Sequence, residues 1–263
     1  MSIIEVKKLT KNFKDFRAVK GITFSVEEGE IFGFLGPNGA GKSTTINILS
    51  TLITASGGSA KINGFDVAME TDEVRKSIGL VFQDPSLDDR LTAWENLIFH
   101  ARLYGLSKKE YLPRVKAVLE LVDLTAKKDS LVKSFSGGMK RRLEIARGLT
   151  HYPRVLFLDE PTLGLDPQTR FNIWNYILKL RQENKMTIFM TTHYMQEAEY
   201  CDRIAIIDKG KIIVIDSPAN LKKQFGKETI EDVFLKLTGR KIREEEASTK
   251  EQFRNQLMAH RRR

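Results

Sequence analysis

Eight consecutive residues, Gly36-Pro37-Asn38-Gly39-Ala40-Gly41-Lys42-Ser43, fit the pattern G-x-x-x-x-G-K-[ST]. The glycines leave the backbone free to wrap tightly and to turn successive N–H groups inward, which makes a nest for an anion. An apolar run at 31–35 precedes the loop, and a helix-compatible run at 44–52 follows it. A helix starting near Lys42 adds the positive end of its dipole to the nest. Lys42 can then reach the β- and γ-phosphates of a nucleoside triphosphate, while the Ser43 hydroxyl can ligate Mg²⁺. A plain glycine-rich turn is the alternative, but it needs neither the strand before nor the helix after.

Two carboxylates end a second run, Val155-Leu156-Phe157-Leu158-Asp159-Glu160. Neighbouring side chains on a strand face opposite ways, so the two acids cannot share one task. Asp159 suits Mg²⁺, directly or from behind another ligand. Glu160, just past the strand, suits a base that orients and deprotonates an attacking water. Without the phosphate loop the pair would also read as an acidic strand cap. His193 follows an apolar run at 187–191, at the carboxyl edge where ligands of open α/β sheets gather, and a neutral imidazole there could bond a γ-phosphate or the water. Gln83 follows the run 78–82 and could ligate Mg²⁺ or position water. Each of these two, taken alone, reads equally as a turn or surface residue.

The elements that must hold these groups are short apolar runs alternating with longer helical stretches, the pattern of a mainly parallel sheet covered by helices. Strands are expected at 3–9, 22–26, 31–35, 78–82, 155–158, 187–191, 204–207 and 211–215. Helices are expected after Gly41 and after Pro167, where Ile173, Ile177 and Leu180 recur on one face. Between Asp84 and Thr150 the texture is helical only, at 94–104, 112–122 and 137–149. Ser107 and Glu110 have capping-box spacing, but Pro113 predicts a start nearer Tyr111 or a bend. The expected division is an ATPase-like domain over 1–240, with its core at 1–84 and 151–215 and a helical subdomain inserted at 85–150. A C-terminal helical extension and charged tail follow at 216–263.

The chain has 263 residues, 41% hydrophobic and 29% charged, the balance of a globular protein. No apolar run approaches the roughly 18–20 residues that cross a bilayer, and MSIIEVKKLTKNF lacks the apolar core of a secretory signal. A cytoplasmic location is therefore expected. The single cysteine, Cys201, excludes an internal disulfide and reads as a packed core residue. The net charge is +9, and residues 240–263 hold eight Lys or Arg against four Glu. Such an excess fits nucleic acid, anionic lipid or nucleotide as partner, or a merely solvated surface.

Taken together, the pieces resemble a known family. Phe135-Ser136-Gly137-Gly138-Met139-Lys140-Arg141-Arg142 resembles the signature motif of ABC ATPases, LSGGQ, and Leu163-Gly164-Leu165-Asp166 resembles their D-loop. On this resemblance Gln83 falls at the Q-loop position, His193 at the switch histidine, and Phe13 at the aromatic that stacks on adenine, with Phe16 close enough to compete. The resemblance implies a P-loop NTPase core of RecA-like α/β type, with an inserted helical subdomain and antiparallel strands at the N-terminal side. It implies ATP and Mg²⁺ as cofactors. ATP contacts are implied for Phe13, Gly36, Pro37, Asn38, Gly39, Ala40, Gly41, Lys42, Ser43, Thr44, Ser136, Gly137, Gly138 and Asp166. Mg²⁺ contacts are implied for Ser43, Gln83 and Asp159, and catalytic roles for Lys42, Gln83, Glu160 and His193.

Ser136, Gly137 and Gly138 open a helix anchored by Leu143, Ala146 and Leu149, and their hydroxyl and bare amides form a second anion site. One chain cannot easily bring both anion sites to one γ-phosphate if the second rides on a separate lobe. The family's answer, which the resemblance implies, is a head-to-tail homodimer with ATP sandwiched between subunits. Phe135 replaces the family's usual Leu, Met139 its Gln and Leu163 its Ser; none of these removes a group needed for phosphate, metal or water.

Gln83-Asp84-Pro85-Ser86-Leu87-Asp88-Asp89-Arg90-Leu91-Thr92, the variant signature and Ile230-Glu231-Asp232-Val233-Phe234-Leu235 look like the multidrug and antibiotic-resistance exporter ATPases of prokaryotes, of daunorubicin-resistance type. That implies a peripheral position on the cytoplasmic face of the membrane, beneath a separate permease docked near residues 84–104. The tail from Arg240 could touch lipid headgroups or the permease, or simply be solvated. The competing class is a soluble ABC ATPase acting on nucleic acid or a ribosome. The single phosphate loop and the lack of sustained heptads count against it, and no nucleic-acid partner is expected.

Overall fold

The computed structural model describes residues 1–83, 86–192 and 194–239. The chain opens with a hairpin of β1 (Ser2–Phe13) and β2 (Phe16–Glu27), then β3 (Ile31–Leu35), α1 (Lys42–Leu49), β4 (Gly57–Ile62), β5 (Phe65–Asp66), α2 (Thr71–Ser77) and β6 (Ile78–Val81). Helices α3 (Ala93–Leu103), α4 (Lys108–Leu121) and α5 (Gly137–Leu149) come next. The chain then returns through β7 (Val155–Asp159), α6 (Pro167–Asn184), β8 (Thr187–Thr192), β9 (Arg203–Asp208) and β10 (Lys211–Asp216), and ends in α7 (Pro218–Phe225) and α8 (Ile230–Thr238).

Two sheets result. The larger has the order β10-β9-β3-β8-β7-β6 and is parallel except for the β9–β10 pair. The smaller, β2-β1-β4-β5, is antiparallel throughout. Central strands of the parallel sheet are buried on both faces, which is why they read as unbroken apolar runs. The pleat sorts their side chains into two cores. Phe32, Phe34, Phe157 and Phe189 join the antiparallel sheet and α1 in one core, where Phe189 lies 5.3–6.0 Å from the rings of Phe24, Phe32, Phe34 and Phe157. Ile31, Leu35, Leu156, Leu158, Ile188 and Met190 face the other core, built with α3 to α8.

The expected class holds: a mainly parallel α/β core with antiparallel N-terminal strands. Three local expectations need correction. The hairpin strands run well beyond 3–9 and 22–26, because β1 pairs with β2 on one edge and β4 on the other and so carries polar residues into the ladder. Strand β4 (GGSAKI) has almost no apolar signal of its own; pairing of Ile62 with Ile4 and Ala60 with Val6 makes it a strand. Helix α4 begins at Lys108 rather than near Tyr111, with Pro113 inside it. Ser107 and Glu110 form a reciprocal capping box there, which offsets the hydrogen bond that proline cannot donate.

Strand β6 and helix α5 meet closely at two glycines, Gly79 and Gly148. A Cβ on Gly79 would sit 2.2 Å from the Gly148 carbonyl oxygen, whereas one on Gly148 would find ordinary contacts at 3.5 Å. Gly79→Ala is therefore expected to cost about 1–3 kcal/mol through forced displacement of α5. Gly148→Ala should be neutral, or stabilising by up to about 1 kcal/mol through helix propensity. Chemical denaturation of both variants checks this, and equal effects would contradict the close approach.

Candidate functional site

The phosphate loop leaves the end of β3 and turns directly into α1, whose first residue is Lys42. Gly41 precedes the helix at φ 108°, a conformation open to glycine and hardly to any other residue. Lys42 is 5% exposed and arches back over the loop, donating to the carbonyls of Gly36 at 2.8 Å and Pro37 at 3.2 Å. Its ammonium lies 3.8 Å from the Glu160 carboxylate, so the cation of the loop and the acid just past β7 already face one another. Loop, lysine and acid line an open cavity of about 680 Å³, together with Phe16, Ala18, Thr44, Gln83, Leu163, Gly164 and Tyr194. That size suits a nucleotide-scale ligand.

Asp159 ends β7 beside the loop. Its Oδ1 lies 3.5 Å from the Ser43 hydroxyl and accepts a hydrogen bond from the Thr191 hydroxyl on β8. The pleat alone does not part Asp159 from Glu160, as strand geometry suggested. Glu160 lies beyond the strand at φ 48°, a left-handed conformation costing a non-glycine residue about 1–2 kcal/mol. Its amide donates to both the carbonyl and the hydroxyl of Thr191, 3.1 Å each, and this holds the turn.

The two aromatics differ in their place relative to the cavity. Phe16, 60% exposed, lines the cavity. Phe13 is not among the lining residues; it stands at the end of β1 with the Lys11 ammonium 5.0 Å from its ring centroid. Ser136, Gly137 and Gly138 do not line the cavity either. Ser136 caps α5 by accepting from the Met139 amide at 3.2 Å, and a Cβ on Gly138 would lie 2.6 Å from Thr169. Leu143, Ala146 and Leu149 are buried and anchor that helix as expected. Asp166 caps α6, where the hydroxyl and amide of Thr169 hold its carboxyl below the usual range. His193 lies outside the described residues.

Several contributors carried no sequence signal. Thr191 is an unremarked strand residue until β8 is set beside β7. Glu197, 4% exposed, accepts from Thr162 after the β7 carboxylates and from Thr192 at 2.6 Å, bridging two site segments. Arg141, on the second turn of α5, reaches the carbonyls that end β7; burial pulls its pKa down, opposed by Glu144, Asp159 and Glu197. Tyr194 at the cavity wall could have been found from its place beside His193.

Known proteins with this architecture are numerous. The sequence model of the ABC transporter family matches residues 19–163. The linearmycin resistance ATP-binding protein LnrL of Bacillus subtilis is 43% identical over 229 residues, spanning 87% of this chain and 73% of that protein. The daunorubicin/doxorubicin resistance ATP-binding protein DrrA of Streptomyces peucetius is 42% identical over 224 residues, 85% of this chain and 68% of that one. Among solved structures, the ATP-binding subunit of an ABC transporter superposes with a TM-score of 0.80 at 30% identity, over 90% of this chain and all of that one. A dimeric bacterial ABC transporter cassette matches at TM-score 0.73 and 30% identity, over 81% of this chain and 98% of that one. With the phosphate loop, paired carboxylates and signature helix in place, the chain belongs to the ABC transporter family, as an ATP-binding and ATP-hydrolysing subunit.

Proposed function

We propose that two copies of this chain close head to tail on MgATP, and that closure and hydrolysis drive export of a drug-like or lipid-like substrate through a separate permease. The observation that carries this reading is the separation of the two anion-binding turns. The phosphate loop lines the cavity, whereas the Ser136–Gly138 turn packs near Leu165 and Thr169 and is not among the lining residues. A second copy can supply the missing turn. The dimeric cassette among the similar structures supports this arrangement, and the antibiotic-resistance relatives support the export branch.

Within each composite site, Lys42 and the loop amides from Gly36 to Thr44 bind the triphosphate, and the partner's signature turn closes on its far side. Ser43, Asp159 and Gln83 offer hard oxygen donors for Mg²⁺. Among the described residues no cluster of three or more His, Cys, Asp or Glu could hold a metal alone, which fits a cation held largely by phosphate oxygens. When bound, the ion would neutralise charge on the β- and γ-phosphates. Glu160 takes a proton from water as its oxygen attacks the γ-phosphorus and the bond to the β-phosphate oxygen breaks. His193 would bond the γ-phosphate, as the family resemblance implies. Phe16, at the cavity wall, replaces Phe13 as the adenine platform in this reading.

The proposed organisation is a nucleotide-binding core at 1–84 and 151–215, a helical lobe at 85–150 and an extension from 216. Among the described residues no helix is long and apolar enough to cross a membrane, so attachment to the cytoplasmic face would come through the permease. The expected dock near 84–104 presents Phe99 and Leu103 as exposed apolar side chains on α3.

Glu160→Gln should keep ATP binding and cut turnover about a hundredfold or more. With ATP it should elute from gel filtration at twice the 30.0 kDa monomer mass; a monomer that retains bound ATP would refute the head-to-tail arrangement. Ser136→Arg should leave ATP binding to the isolated chain within about twofold while abolishing turnover, because the signature serves the other copy. Phe16→Ala should weaken binding of a fluorescent ATP analogue about tenfold, in line with one base–aromatic stack, and Phe13→Ala should weaken it far less. The reverse order would return the adenine to Phe13.

A further inference from the structure

Arg141 directs its guanidinium at backbone carbonyls. Nε donates to Pro161 at 2.6 Å, Nη1 to Phe82 at 2.5 Å, and Nη2 to Asp159 and Glu160 at 3.2 Å each. The side chain is 8% exposed, and Glu144, one turn further along α5, lies 3.5 Å from Nη1 and balances its charge. A planar fork of five donors ordinarily meets carboxylates or phosphates. Here it joins the ends of two strands, and those ends carry Gln83 and Glu160.

The positions bonded are the ones that need support. Glu160 has φ 48°, with its amide tied to Thr191 on β8. Arg141 takes its carbonyl, so the left-handed residue is held on both sides. The same group fixes Phe82, immediately before Gln83. Arg141 is not among the residues lining the cavity, and its bonded partners lie at the β6 and β7 ends, not on the phosphate loop.

We propose that Arg141 is a positioning residue for hydrolysis: its guanidinium fixes the backbone of Glu160 and ties it to the strand end that carries Gln83. The inference rests on the reading of Glu160 as the base. It acts on attack geometry, where a displacement of about 1 Å can cost on the order of a hundredfold in rate, and not on nucleotide affinity. Lysine cannot replace it, because one ammonium on a flexible stem cannot span carbonyls of two strands in a plane.

Full-length Arg141→Lys and Arg141→Gln, each made with and without Glu160→Gln, test this. Both single variants should bind ATP within about twofold of the parent and lose turnover about ten- to a hundredfold. Added to Glu160→Gln, either should lower the residual rate by less than about threefold, because the group through which Arg141 acts is already gone. Arg154→Gln, at the far end of β7 where it pairs with exposed Glu28, should keep parental turnover. Parental turnover in the Arg141 variants, an equal loss of ATP affinity, or a full independent loss on top of Glu160→Gln would overturn the proposal. Arg141→Lys retains the charge that Glu144 requires, so it remains informative if the glutamine variant does not fold. Full turnover in Glu160→Gln alone would overturn the reading of Glu160 and this inference with it. Loss there but not in the Arg141 variants would overturn this inference only.

Discussion

The register of the parallel sheet is the constraint from which the rest follows. Leu35 on β3 stands beside Thr192 on β8, Asp159 on β7 beside Thr191, and Val81 on β6 beside Leu158. Parallel strands in register release their chains at one edge and one level. The phosphate loop, the two carboxylates and the Gln83 segment all leave the sheet there. A shift of one residue in any of these pairs would invert that strand's side chains between two packed cores, so the burial that stabilises the fold also aligns the site.

That alignment places charge in a protected setting. Lys42 is nearly buried, faces Glu160, and has loop carbonyls for its remaining donors. Asp159 is held by the Thr191 hydroxyl beside Ser43. Buried polar groups are costly unless each finds a partner, and here the partners come from four different segments of the chain. The left-handed Glu160 is the local exception to relaxed backbone, and its neighbours on β8 and α5 supply the bonds that retain it. Helices α3 to α5 join the site through a core shared with β3, β7 and β8 and, at the end of β7, through the Arg141 side chain.

Helices α3 to α5 contribute differently. The signature turn begins α5, but Gly138 is packed tightly on Thr169 of α6, whose N-cap is Asp166 of the D-loop. Signature and D-loop therefore pack together in this chain: the signature turn is not among the residues lining its own cavity, whereas Leu163 and Gly164 of the D-loop are. An oligomer that joins this unit to a second copy's phosphate loop would use surfaces prepared within each monomer.

Much of this was legible in the residues themselves. The phosphate loop, the Asp159–Glu160 pair and the signature helix are local: each depends on neighbours within a few positions and on a strand or helix with its own apolar pattern. The two-sided burial of β3, β7 and β8 likewise announced a parallel sheet through continuous apolar runs. What the chain alone did not reveal depends on contacts between distant segments. Strand β4 exists because β1 pairs with it. Helix α4 tolerates Pro113 because a capping box precedes it. Phe16 rather than Phe13 reaches the cavity because of how the hairpin lies against the loop. Thr191, Glu197 and Arg141 acquire their roles only when β8, the segment after it and α5 are brought against the end of β7. Composition and short-range periodicity encode which groups can do chemistry; long-range packing decides which of them share an edge, because the bonds that hold Glu160 join residues up to 31 positions apart.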